Sequence, residues 1–348
     1  MGFDILNYAS SLQCRELHMA IQDDIDLKAI VAIHNTTLGP ALGGCRWIEY
    51  PSTESAVVDA IRLAQAMTYK AALARLPLGG GKLVLLKPKQ VNNKETYFKA
   101  VGRFVNSLDG RYITAVDSGT STNDMDIIAT ETKHVTSTTQ SVFSVADPSI
   151  MTAEGVEKGI AAAVKIKLGR ESLQGIQVSI QGLGHAGYHL AKNLHARGAS
   201  LTVYDINPTA VDRCVQEFSA KTVNSIEALL ALPVDVFSPC ALGAILNDKT
   251  IPLLKAPIIA GSANNQLAES RHGVELMQRG ILYAPDYVIN AGGLIYVAAQ
   301  ISHMTEEAAN LKVRGIYETL LEIFQRSQLE NISPEEIANK IAEERLRG

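Results

Sequence analysis

Two periodicities alternate along the chain. Residues 28–34 (KAIVAIH) form an apolar run of strand length. The segment EYPSTESAVVDAIRLAQAMTYKAAL then switches to helical spacing, with Val57, Ala60, Ile61, Ala64, Met67 and Ala71 recurring and Ser52 or Thr53 available as N-cap. Leu83–Leu86 is a second short apolar run, closed by Lys87-Pro88, and predicts a buried strand. NKETYFKAVGRFVNSL continues as a helix, and RYITAVDSGTS as a strand ending in polar residues around Asp117. This first unit is expected to close near residues 145–148.

The second half follows a stricter alternation. GIQVSIQGLGHAGYHLAKNLHARGASLTVYDINP runs strand, glycine turn, helix, Gly198 as helix stop, strand and then an acid. Further strands are expected at Val234–Phe237, Pro257–Ala260 and Ile281–Ala284, with helical sequence between them. Strands alternating with helices imply parallel βαβ units and a doubly wound sheet. ISPEEIANKIAEERL opens a last helix with Ser333 as N-cap, Pro334 at the first helical position and Glu336 closing a capping box. The expected fold class is α/β in two domains.

Composition narrows the function. With 348 residues, 47% hydrophobic and 20% charged, the chain describes a globular protein with ample core. A net charge of −4 leaves no basic footprint for nucleic acid. No apolar run reaches the ~18 residues of a membrane span. The start, MGFDILNYASSLQ, lacks the basic and apolar regions of a signal peptide. Its sixth residue is Leu6, where a myristoylation site prefers Ser or Thr. Cys14, Cys45, Cys214 and Cys240 are scattered and suit reduced thiols of a cytoplasmic protein.

Two glycine motifs carry the chemistry. Gly79-Gly80-Gly81-Lys82 suggests a phosphate cradle, but a P-loop needs Gly where Leu76 stands and Ser or Thr where Leu83 stands. Lys82 is expected instead at the mouth of a strand, behind mobile glycine backbone. Gly182-Leu183-Gly184-His185-Ala186-Gly187 is G-x-G-x-x-G, follows a strand, opens a helix and precedes Asp205 by 23 residues (205 − 182). Gly182 permits the tight turn, Gly184 the approach of a pyrophosphate, and Gly187 close helix–strand packing. Asp205 suits the adenosine ribose hydroxyls and repels a 2′-phosphate, so NAD is expected rather than NADP. A nicotinamide there needs a substrate partner, and Gly43, Gly44, Lys70, Lys82 and Asp117 are the first-domain candidates. A lysine acts as base near neutral pH only if burial or a second cation lowers its pKa, and Lys70 is placed to be that cation.

TTLGPALGG, MTYKAA, LPLGGGK, GRYITAVDSGT, MDII, SPCALGAILND, IIAGSANNQL and YAPDYVINAGG span nearly the whole chain. They resemble the amino-acid dehydrogenases of the Glu/Leu/Phe/Val superfamily, leucine dehydrogenases most of all. The resemblance implies a substrate-binding and oligomerisation domain at 1–146, a Rossmann NAD domain at 147–329 and a cleft between them. Helix 330–348 would pack back on the first domain. It implies reversible NAD-dependent deamination of leucine, isoleucine or valine to the 2-oxo acid, by a homo-oligomer (dimer or octamer) with no metal. Carried over by motif, Lys70 binds the substrate carboxylate and Gly43 and Gly44 let it approach the backbone. Lys82 is the general base for water attack, and Asp117 shuttles protons to and from nitrogen. Leu42, Met67, Ala115, Leu294 and Val297 match the side-chain wall. Asn265 and Asn290 lie near substrate and cofactor, Thr152 matches the residue at the nicotinamide amide, and Cys240 and Ala241 join the cofactor site.

The chain departs from the family pattern at Val116 and Ser118, where Glu-Asp-Val-Gly surrounds the aspartate, at Cys45 for Thr, and at Ile150 for Pro. Rival readings are a phenylalanine dehydrogenase, a catalytically silent NAD-binding regulator, and a metal site at His185 and His189. The last lacks the Glu of H-E-x-x-H, since Ala186 stands there.

Overall fold

The computed structural model describes residues 3–140, 147–241 and 243–347. It divides into two compact units, 1–144 with 300–303 and 345–348, and 145–299 with 304–344.

The first unit is built on β1 (Glu16–Gln22), β2 (Leu27–Asn35), β3 (Ala41–Ile48), β4 (Gly79–Leu86) and β5 (Tyr112–Val116), with helices α1 (Ile5–Ser11), α2 (Thr53–Leu73), α3 (Lys94–Asn106) and α4 (Thr122–Ala129). Its sheet order is β1-β2-β4-β3-β5. The sheet is mixed, because β2 runs antiparallel to β1 and β4 while β3 is parallel to β4 and β5. Ser52 caps α2, accepting from the Ser55 N–H. The periodic stripe of α2 (Ala56, Val57, Ala60, Ile61, Ala64) buries one sheet face against Ile30, Ala32 and Val84. The opposite face, including Val31, Cys45, Leu83 and Leu85, packs with Tyr97, Phe98, Met125 and Ile128. Every second residue of a strand thus belongs to a different core.

The triple glycine is not a turn. All three residues lie inside β4, and Lys82 is fourth in this eight-residue strand, paired with Ala32 rather than standing at a mouth. The reason is close approach: a Cβ on Gly80 would sit 2.0 Å from the Thr68 backbone nitrogen of α2, and one on Gly79 1.9 Å from the Asn35 carbonyl oxygen. Glycine there lets helix and strand meet backbone to backbone.

The second unit opens with α5 (Pro148–Leu168), then β6 (Gln177–Gln181), α6 (His185–Ala196), β7 (Ser200–Tyr204), α7 (Pro208–Phe218), β8 (Lys221–Thr222), α8 (Ile226–Leu230) and β9 (Val236–Pro239). It continues with β10 (Ile258–Ile259), α9 (Arg271–Gln278), β11 (Leu282–Tyr283), α10 (Asp286–Ile289), α11 (Gly292–Ile301), α12 (Glu306–Arg314), α13 (Ile316–Glu330) and α14 (Pro334–Arg347). All six strands are parallel, in the order β11-β10-β9-β6-β7-β8. Val178, Ile180, Val203, Val236, Ile258 and Ile259 are fully buried, as a sheet covered on both faces requires. The two-residue β8 carries no apolar run, which is why its sequence does not mark it as a strand.

The terminal helix is divided between the two units. Through Glu344 it belongs to the second unit, where Ile337, Ala338, Ile341 and Ala342 are buried and the Tyr287 hydroxyl donates to Asn339 at 2.6 Å. Only Arg345 onward belongs to the first unit. The capping box forms as read: the Glu336 N–H donates to Ser333 Oγ and the Ser333 N–H to Glu336 Oε2, both at 3.3 Å. No helix among the described residues is long and apolar enough to cross a membrane.

Candidate active site

Strand register builds the candidate site of the first unit. Cys45 pairs with Leu83 and with Val116, so one residue back Gly44 lies beside Lys82 and Ala115, and one residue on Arg46 lies beside Asp117. Leu42, Gly44 and Arg46 share a strand face with Lys82, Ala115 and Asp117, the face against which α2 packs. Because Gly44 has no side chain, Lys82 Nζ crosses over it and donates to Asp117 Oδ2. A Cβ on Gly44 would be 2.6 Å from Asp117 Cβ and 3.3 Å from Lys82 Nζ. Gly43 faces the other way, where a Cβ would lie 1.8 Å from the Gly81 carbonyl oxygen, and its own carbonyl accepts from the Tyr112 hydroxyl at 2.8 Å.

The electrostatics follow from burial. Desolvation pushes the Lys82 amine below its ordinary pKa, Asp117 pushes it back up, and Arg46 pushes it down again. Burial pushes the Asp117 carboxyl up, but the Lys82 ammonium and the Arg46 guanidinium outweigh it and leave that carboxyl below its usual range. The Asp117 backbone N–H donates to Thr120 Oγ1 at 3.0 Å, fixing the end of β5. The strongest cationic influence on Lys82 is therefore Arg46, not the Lys70 expected from sequence.

The second unit places its candidate residues at the C-terminal ends of its strands. The strand order reverses between β6 and β9, and there the glycine turn meets Ala241: a Cβ on Gly182 (φ +93°) would touch Ala241 atoms at 2.7 Å. A Cβ on Gly187 would lie 2.0 Å from the Gly182 carbonyl oxygen, so α6 packs hard on the turn. Gly184 is the N-cap of α6 with no side-chain capping bond, and space beyond it is open for 4 Å. Asp205 Oδ2 accepts from the Leu183 N–H at 2.6 Å and Oδ1 from the Asn207 N–H at 2.8 Å. An uncapped helix N-terminus behind an open glycine, with an acid fixed at the next strand end, fits a dinucleotide. Leu183 spends its N–H on Asp205 and so serves the turn itself. His185 pairs with Asp147 (2.9 Å), and the His189 ring packs edge-on against Tyr188.

Asn290 joins Ser262 and Asn264, and Thr152 lies against the start of α11. Asn290 Nδ2 donates to the Ser262 carbonyl (3.1 Å) and to Asn264 Oδ1 (2.8 Å), while its buried Oδ1 has no partner. Thr152 Oγ1 donates to the Pro148 carbonyl at 3.1 Å and would be 3.0 Å from a Cβ on Gly293. Asn265 (φ +52°) is exposed, and Leu294 and Val297 are half-buried on α11. Cys240 Sγ lies 3.5 Å from Ser238 Oγ, and burial pushes its thiol up.

Comparison with known proteins bears on both halves. Residues 12–134 match the family model for the Glu/Leu/Phe/Val dehydrogenase dimerisation domain, and residues 203–346 match that for glutamate/leucine/phenylalanine/valine dehydrogenase. The chain belongs to the Glu/Leu/Phe/Val dehydrogenase family. Within that family it is 48% identical to a leucine dehydrogenase of Thermoactinomyces intermedius over 342 residues, covering 98% of this chain and 93% of the relative. It is 42% identical to a phenylalanine dehydrogenase of Bacillus thermotolerans, covering 93% and 86% of the two chains. Its structure matches that of L-tryptophan dehydrogenase from Nostoc punctiforme with a TM-score of 0.90, at 40% identity over 99% and 98% of the chains.

The sequence does not single out Arg46, Asp59, Tyr50 or Thr120, which the structure joins by hydrogen bonds to Asp117 or to its partner Arg46. The available signal was strand alternation, which puts Arg46 on the same face as Gly44 two residues earlier. The departure at Cys45 faces the opposite core, fully buried, and so lies away from the Lys82 face. Val116 is exposed at the end of β5, Ser118 contributes a carbonyl to the Trp47 N–H (2.9 Å), and Ile150 is a partly exposed residue of α5.

Proposed function

We propose that this chain catalyses the NAD-dependent, reversible oxidative deamination of a branched-chain aliphatic L-amino acid to its 2-oxo acid, ammonium and NADH. The observation that supports it most is the Lys82–Asp117 pair crossing Gly44 on a sheet face shared with Leu42 and Ala115. NAD, held at Gly182–Gly187 and Asp205 with Thr152, Asn290, Cys240 and Ala241 nearby, supplies the two-electron oxidant when bound. The chain's own residues do the rest. Lys70 neutralises the substrate carboxylate, which the bare backbone of Gly44 lets approach; Gly43, turned to the other face, serves strand packing instead. Asp117, kept ionised, takes a proton from the substrate amine and returns one to the leaving nitrogen. Lys82, as the neutral amine that burial favours, removes a proton from the water that attacks the imine carbon. Leu42, Met67 and Ala115 offer the side chain an aliphatic wall, against which a glutamate carboxylate would be desolvated and unpaired. The reading requires of the second unit that Leu294, Val297 and Asn265 also meet the substrate. Self-association belongs with the first unit, the part matched as a dimerisation domain. The four free cysteines suit the cytoplasm.

A catalytically silent NAD-binding protein of the same fold would have no use for a lysine buried against an aspartate. The test is NADH formation by the purified protein with leucine, isoleucine, valine, phenylalanine, tryptophan and glutamate under one condition. Aliphatic substrates should give the highest kcat/KM. An aromatic optimum refutes the size of the pocket, glutamate as best refutes its assignment, and no turnover of any refutes the dehydrogenase reading.

A further inference from the structure

The Lys82–Asp117 pair is one end of a longer array. Asp117 Oδ2, which accepts from Lys82 Nζ, also accepts from Arg46 Nε at 3.2 Å. The other arm of the same guanidinium donates from its terminal nitrogen to Asp59 Oδ2 at 2.9 Å, and that oxygen accepts in turn from the Tyr50 hydroxyl at 2.5 Å. Side-chain exposure is 29% at Asp59, 20% at Arg46, 23% at Asp117 and 6% at Lys82, so the lysine is the buried end of the array. The outer carboxylate, on α2, thus holds a β3 guanidinium whose Nε is turned inward onto β5.

We propose that Arg46 is a positioning residue for the reaction proposed above, keeping Asp117 ionised and aimed at Lys82, with Asp59 and Tyr50 holding the guanidinium in place. The inference rests on the reading of Lys82 as the base. A lysine paired with a lone buried carboxylate is a poor base, because the carboxylate stabilises its ammonium. A second cation on the same oxygen divides that attraction and repels the ammonium. It also keeps the carboxylate charged after Lys82 has given up its proton. The directions at Lys82 agree: Arg46 lowers its pKa, and Asp117 and Asp59 raise it. Cys45 on β3 and Tyr112 on β5 lie close by but on the opposite sheet face, both buried and held protonated by desolvation. The elements packed on β4 further carry Lys28 and His34 on β2, and Glu54, Arg62 and Lys70 on α2.

The experiment is kcat for leucine oxidation against pH in the full-length enzyme, for wild type, Arg46→Met, Arg46→Lys and Asp59→Asn. In Arg46→Met the limb on which Lys82 loses its proton should move up by about one unit, a roughly tenfold loss below the limb that is regained at high pH. Arg46→Lys, which keeps the charge but not the two-armed fork, should move less. Asp59→Asn keeps an oxygen to hold Arg46 but removes a negative charge that raises the Lys82 pKa, so it should move the limb down. KM for leucine should change far less than kcat in all three. An Arg46→Met profile lowered equally at every pH, or not lowered at all, overturns the proposal. If Arg46→Met does not fold, Arg46→Gln decides, and a limb that stays put or falls overturns the proposal. An active wild type with unmoved limbs overturns this inference alone, whereas a wild type that turns over no amino acid overturns the dehydrogenase reading with it.

Discussion

Gly44→Ala is the smallest change that tests the arrangement at the site. The added Cβ would lie 2.6 Å from Asp117 Cβ, 3.1 Å from its Cγ and 3.3 Å from Lys82 Nζ. Ordinary contact begins near 3.4 Å, so about 0.8 Å must be found. β3 is held between β4 and β5, so its backbone cannot retreat without breaking two ladders, and the give must come from Asp117 at the end of β5. Displacing a reacting group by about 1 Å costs on the order of 100-fold in rate, and overpacking costs ~1–3 kcal/mol of stability. Gly44→Ala should therefore fold, bind NADH normally, and lose roughly 100-fold in kcat with leucine. Saturating rates, NADH fluorescence titration and thermal unfolding separate these effects. Gly43→Ala provides the contrast, since its Cβ would strike the Gly81 carbonyl, a backbone atom, and should cost folding before rate. A Gly44→Ala enzyme with kcat within threefold of wild type would refute the idea that the gap over Gly44 is what lets Lys82 reach Asp117.

Three further outcomes are expected. Lys82→Ala should lose ~10²–10⁴-fold in turnover while NADH binding stays near normal, and retention of more than about a tenth of the activity would exclude Lys82 as the base. Asp205→Ala should weaken NAD and narrow the gap to NADP, because the carboxylate both repels a 2′-phosphate and holds the Leu183 N–H; a wild type that uses both cofactors equally contradicts this. Glu335, pushed up to about 7 from 4.5 by burial and by Asp286, is protonated in the folded chain at a pH where it would ionise unfolded. Its stability contribution is present below about pH 4.5 and is lost as pH rises through 7. Glu335→Gln should then stabilise by up to ~3 kcal/mol at pH 8 and by little at pH 4.5, and melting curves that shift equally at both would count against it.

The dinucleotide turn was legible in the sequence because everything it needs is local: a strand, three glycines at fixed spacing, a helix start and an acid one strand later. The α2 stripe and the Ser333 capping box were legible for the same reason, since helical periodicity and capping act within a few residues. The GGGK segment was not. Taken alone, three glycines signal a turn, and only the packing of α2 and β2 onto β4 makes them strand residues that leave room for Thr68 and Asn35. Arg46 escaped notice because its partners, Asp117 and Asp59, lie 71 and 13 residues away and are brought to it by the pairing of β3 with β5 and the docking of α2. The sequence by itself determined which chemical groups the chain carries and which local elements hold them. Only the tertiary structure decided which cation stands beside Lys82, because charges interact through distances that strand register, not sequence separation, sets.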